Sequence, residues 1–107
     1  MRLLLVSLTI LVFSVTAVWA ADVAAGKELY SKKCASCHGT GGEGKDAVAK
    51  LMKVQLPHLG SKEVQAKSDA ELKKPILEGS GKMKPVSGID AKAADDIIAY
   101  LRTLKAK

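Results

Sequence analysis

A chain of 107 residues with a formal charge of +6 has room for one small domain. Its 17 Lys+Arg are scattered among 11 Asp+Glu with no interleaving of basic and aromatic residues, which excludes a nucleic-acid-binding face. With two cysteines and two histidines in all, four-ligand metal sites have little to draw on.

Met1-Arg2 gives a short positive start. Leu3 to Val18 is apolar apart from Ser7, Thr9, Ser14 and Thr16, and Val18-Trp19-Ala20 offers residues that a signal peptidase accepts. The expected organisation is a signal peptide over 1–20, cut between Ala20 and Ala21, and one domain over 21–107. An uncleaved membrane anchor is the alternative, and the run is short for a bilayer span. Export places both cysteines in an oxidising compartment such as a bacterial periplasm, where they would pair unless something consumed them. After the cut the charge is +5, and Tyr30 and Tyr100 are the aromatics that stay.

Asp22 can cap a first helix that runs through Val23, Gly26, Leu29 and Tyr30 to Lys33. Glycine inside a helix costs about 1 kcal/mol relative to alanine, so Gly26 marks the close approach of another backbone.

The helix leads into Cys34-Ala35-Ser36-Cys37-His38. Two cysteines two residues apart, followed at once by histidine, read as a c-type haem attachment site. Each thiol can form a thioether with one vinyl group of the porphyrin, and the next residue then offers an imidazole to the iron. Two other chemistries share this motif. A redox dithiol needs a preceding strand of the thioredoxin kind, and none is evident. A zinc site would have to use His38 beside Cys37 together with the distant His58, a poor geometry. A domain this small is marginal on its own core, and a large apolar cofactor would fill the deficit.

Gly39, Gly41, Gly42 and Gly44 predict an irregular loop; the absence of a preceding strand and of a Gly-Lys-Ser/Thr ending excludes a phosphate loop. Lys45 to Val54 predicts a short helix with Ala47, Val48, Leu51 and Met52 on one side, which assigns Met52 to the core rather than to a metal. Pro57-His58-Leu59 is an extended or turning segment, with His58 a surface loop residue. Ser61 can cap a brief turn through Val64. Ser68-Asp69-Ala70-Glu71 is a capping box, after which Leu72, Ile76 and Leu77 follow. Pro75 predicts a kink or a restart, and Gly79 the end of that helix.

Ser80 to Val86 is a polar loop in which Met83 belongs to no helical stripe. A thioether ligand to haem iron explains such a methionine. Asp90 opens the last helix, with Ala94, Ile97, Ile98, Leu101 and Leu104 as its apolar stripe. Asp95 and Asp96 are expected to face outward, and Arg102, Lys105 and Lys107 to favour its C-terminal end. No repeat, linker or strand is evident.

The whole of 21–107 resembles the class I c-type cytochromes, of the small soluble bacterial monohaem kind. The likeness rests on Gly26…Tyr30…Cys34, on Cys34-x-x-Cys37-His38, on Pro57-x-Leu59 and on Ile97-Ile98-Ala99-Tyr100-Leu101. It implies an all-α cytochrome c fold, three to five short helices around one haem c, with N- and C-terminal helices crossed at Gly26. Tyr30, Ile97, Tyr100 and Leu101 would pack at that crossing. It further implies cofactor contacts from Cys34, Cys37, His38, Met83, Pro57 and Leu59, with His38 and Met83 as the iron ligands. The Pro57 carbonyl would accept the Nδ1 proton of His38. The sequence departs from the family where Lys84 separates Met83 from Pro85, and at Pro75.

The expected function is single-electron transfer between larger redox proteins of the periplasm, by a monomer without catalytic residues or a stable membrane span. A basic rim of Lys32, Lys33, Lys45, Lys82 and Lys84 would steer acidic redox partners. The alternative is a small haem enzyme or gas-binding protein, peroxidase-like, with a labile sixth ligand.

Overall fold

A computed structural model describes residues 20–106, together with Ile10 and Val12. Most of the expected signal segment therefore lies outside the described residues.

Among the described residues six helical segments follow one another: α1 (Val23–Lys33), α2 (Ala35–His38), α3 (Asp46–Met52), α4 (Lys62–Gln65), α5 (Asp69–Glu78) and α6 (Ala91–Leu101). No strand occurs among the described residues, and Ser80 and Met83 form one isolated antiparallel bridge. The fold is all-α, as expected. The segments number six rather than three to five because α2 and α4 are single turns of four residues.

Local capping sets where the helices start. The Asp22 carboxylate accepts the Ala25 N–H at 3.1 Å, and the Asp90 carboxylate accepts that of Ala93 at 2.8 Å. Ser61 Oγ does the same for Val64 at 3.3 Å. Ser68 and Glu71 form the full capping box of α5. Each such cap satisfies a donor that the first turn leaves free.

The core forms where α1 crosses α6. A Cβ placed on Gly26 would stand 1.8 Å from the Asp96 carbonyl oxygen, so only glycine lets the two backbones meet. Ala94, Ile97, Ile98 and Leu101 are buried against this crossing. Leu104, beyond the end of α6, still packs on the same cluster. The rings of Tyr30 and Tyr100 lie 5.2 Å apart and tilted by 58°, a geometry worth about 0.5–1.5 kcal/mol beyond the buried area. The Tyr30 hydroxyl donates to the Gly39 carbonyl and so ties α1 to the loop after α2.

Four sequence expectations need correction. Asp96 faces inward, not outward: it is 5% exposed and accepts the Asp22 N–H at 2.8 Å and the Lys92 ammonium at 3.0 Å. The helix crossing brings the start of α1 over this carboxylate, which no local pattern reveals. Of the kink or restart expected at Pro75 the restart does not occur: α5 is one helix up to Gly79, whose φ of 81° ends it. The carbonyl that Pro75 leaves without a donor belongs to exposed Glu71, where water can replace it. α3 buries nothing, and Leu51 is 83% exposed. Lys53, in the left-handed region at φ 54°, stops α3 after seven residues, and of its expected stripe Val48 and Met52 line the cleft. Arg102 does not serve the helix end; it clamps Asp69 and the carbonyls of Gln65 and Lys67.

The Asp22 N–H, and after it Lys92, hold the Asp96 carboxyl below the usual carboxylate range. A depressed folded pKa contributes stability above the unfolded value of about 3.9, and that contribution is lost as pH falls through the folded value. Asp96→Asn should therefore lose less stability than the wild type in denaturant titrations between pH 5 and pH 3. Equal losses would show that the carboxylate contributes nothing.

Candidate functional site

The site grows out of the end of α1. Cys34 closes α1, with its N–H bonded to the Tyr30 carbonyl, and at φ −116° it opens α2. The Cys37 and His38 N–H groups both bond back to the Cys34 carbonyl, at 3.2 and 3.0 Å. This single turn aims Cys34, Cys37 and His38 at one cavity.

The glycine loop that follows folds back on the turn. Gly44 N–H donates to the His38 carbonyl at 2.7 Å, and Lys45 N–H to that of Cys37 at 3.0 Å. Gly42, at φ 79°, has Leu59 and Leu104 packed where a side chain would go. Its carbonyl accepts the Leu59 N–H at 2.8 Å, which docks the Pro57–Leu59 segment against the loop.

Met83 reaches the same cavity from the loop that follows α5. Gly79 ends α5 so tightly that a Cβ there would lie 2.7 Å from the Met83 carbonyl oxygen. Ser80 and Met83 exchange two backbone hydrogen bonds, at 2.8 and 2.9 Å, and Val86 N–H returns to the Ile76 carbonyl. The loop stem is thus fixed to α5.

Two hollows share Cys34, His38, Gln55, Leu56, Ser80 and Met83 as walls and together form one cleft. The outer one, ≈ 370 Å³, adds Cys37, Val48, Met52 and Val54. The inner one, ≈ 280 Å³, adds Tyr30, Pro57, Leu59, Leu72, Pro75 and Ile76. The six residues singled out in the sequence therefore line one cleft. Sequence reasoning missed Met52, which it assigned to the core, and Pro75, whose apolar ring forms part of the inner wall.

The Nδ1 of His38 is buried and has no hydrogen-bond partner. The expected bond to the Pro57 carbonyl is not made. An unsatisfied buried nitrogen costs about 1–3 kcal/mol and calls for a partner. Burial also lowers the imidazole pKa, which keeps the ring neutral, the form that ligates metals. Cys34 and Cys37 are unpaired, and burial pushes the Cys34 thiol up to about 11. So protonated a thiol is a poor redox nucleophile. Zinc fares no better: His58 Nδ1 already accepts the Gly60 N–H at 2.9 Å, and no cluster of three His, Cys, Asp or Glu forms among the described residues. An apolar cleft lined by two free thiols, a neutral imidazole and a thioether does fit haem c.

Over residues 21–101 the sequence matches the family described as cytochrome c oxidase, cbb3-type, subunit III. The chain belongs to this family of c-type cytochrome domains. Cytochrome c-554(547) of Halothiobacillus neapolitanus is 40% identical to this cytochrome over 91 residues, 80% of this chain and 100% of that one. The solved structure of the KustC0563 c-type cytochrome superposes with a TM-score of 0.64 at 26% identity, covering 76% of this chain and 98% of its own. Cytochrome cL from Hyphomicrobium denitrificans gives 0.59 at 26% identity; the match covers 78% of this chain but 47% of that longer one. The cytochrome is thus a haem-based electron carrier rather than an enzyme. No helix among the described residues is long and apolar enough to cross a membrane.

Proposed function

We propose that this cytochrome holds a single haem c bonded through Cys34 and Cys37, with His38 and Met83 as axial ligands. In this reading it is processed between Ala20 and Ala21 and shuttles single electrons between larger redox proteins in the periplasm as a monomer. The observation that carries the ligand assignment is that His38 and Met83 wall both hollows of the one cleft. Met52 walls only the outer one.

Haem held between imidazole and thioether supplies one-electron Fe(II)/Fe(III) chemistry at a raised potential. The chain does the rest. Cys34 and Cys37 fix position, while Pro57, Leu59, Leu72 and Ile76 form a wall that excludes water. With His38 and Met83 both engaged, no position remains open to a substrate. Carbon monoxide should therefore bind the reduced protein weakly and slowly at neutral pH. Rapid, tight binding would favour the peroxidase-like or gas-binding alternative.

Lys33, Lys82 and Lys84 line the mouth of the outer hollow. Lys32 pairs with Glu28 at 3.1 Å, and Lys45 lies next to the motif through its bond to Cys37. This basic rim suits a partner with an acidic docking surface. Association with such a partner should slow as salt shortens the Debye length from about 30 Å at 0.01 M to about 8 Å at 0.15 M. A rate indifferent to salt would remove steering from the account.

A further inference from the structure

The cleft has two walls of unequal firmness. On one side the Met83 loop is stitched to α5 by backbone bonds at Ser80, Met83 and Val86. On the other stands α3, which buries none of its residues yet supplies Val48 and Met52 to the lining. At the exposed tip of the Met83 loop, a Cβ on Gly81 would meet nothing within 4 Å.

One hydrogen bond joins the two walls among the described residues. The Lys82 ammonium, immediately before Met83, donates to the Met52 carbonyl 30 residues away. That carbonyl is one of the last four of α3, which have no partner within the helix. A positively charged donor is the group best suited to it.

We infer that Lys82 is a positioning residue: its ammonium straps the Met83 loop to the C-terminal end of α3 and so keeps the thioether seated. Lys82 acts through Met83 and touches no reacting atom. The inference rests on the His38/Met83 reading. It separates Lys82 from Lys33 and Lys84, which line the same mouth without bridging it.

The strap predicts a kinetic effect. With Met83 as ligand, an external ligand would reach the iron position only if Met83 swung away, so its binding rate would report how often the loop opens. Imidazole binding to the oxidised holoprotein should be about tenfold faster in Lys82→Ala, the order of effect that losing one charge-assisted hydrogen bond allows. Lys82→Arg, which still offers an N–H to the Met52 carbonyl, should stay close to the wild type. Lys84→Ala removes the same charge from the same mouth and should also stay close to it. Lys82 is exposed, so truncating it leaves the core intact. An unchanged rate in Lys82→Ala overturns the strap, and so does an equal acceleration in Lys84→Ala, which would make the effect one of charge alone. The far-red sulfur-to-iron absorption band, recorded on each sample, separates two failures. A wild type without the band defeats the ligand reading and the strap together, whereas a band with unchanged rates defeats the strap only.

Discussion

Gly26→Val should yield almost no folded cytochrome, and Gly26→Ala should fold with a markedly lowered thermal midpoint. On helix propensity alone alanine would be the better residue by about 1 kcal/mol. The crossing reverses that preference. Even a single Cβ at position 26 would lie 1.8 Å from the Asp96 carbonyl oxygen and 2.4 Å from its carbon. These are backbone atoms in the middle of α6, so they cannot step aside as a side-chain tip can. The helices would have to separate. Separation would also weaken the Tyr30–Tyr100 contact and the bond from Asp22 to the Asp96 carboxylate, both of which span the same junction. Overpacking alone costs typically 1–3 kcal/mol, and small domains start from stabilities near the low end of about 5–15 kcal/mol. Valine adds two further carbons to the same clash. Thermal unfolding of the holoproteins and the yield of haem-bearing protein measure the effect. A Gly26→Ala midpoint equal to that of the wild type would mean that the helices do not meet as described.

Met83→Ala should leave the fold standing and change the redox chemistry. The side chain is half-buried, and the loop that carries it is held by backbone bonds that alanine can still make. Loss of the thioether should open the sixth position. The reduction potential should then fall by a sizeable part of the ~0.8 V over which axial ligands set it, and carbon monoxide should bind the reduced variant readily. Met52→Ala provides the comparison, because Met52 shares the outer hollow but not the inner one. Its potential should stay near that of the wild type. The opposite result, a large fall for Met52→Ala and none for Met83→Ala, would transfer the ligand role to Met52.

Features of the fold that depend on neighbours in sequence are legible in the sequence itself. Asp22, Ser61, Ser68 and Asp90 cap their helices because an N-cap acts within three residues of itself. The Cys34–His38 motif is a single turn, so its spacing carries its geometry. Gly26 and Tyr30 foretold a crossing through the resemblance to other cytochromes, since nothing within the first helix names its partner.

Illegible features were those decided by distant contacts. Asp96 looks like any charged residue on an amphipathic helix until the start of α1 is laid across it. Leu51 and Met52 look alike as core candidates, yet Leu51 is left exposed and Met52 lines the cleft, because what packs against α3 is decided far away in sequence. Pro75 breaks helices in general, but here the carbonyl it leaves free belongs to an exposed residue, Glu71. Lys82 looked like one of five equivalent lysines on a rim until its bond to Met52 set it apart.

The central claim is that one porphyrin is joined to this polypeptide by both of its thiols, and mass spectrometry of the protein purified from its native host tests it most directly. The predicted result is the processed chain plus one haem, with Cys34 and Cys37 both blocked to alkylation and the added mass retained after denaturation. A bare polypeptide mass, with the two sulfurs free or joined to each other, would contradict the account.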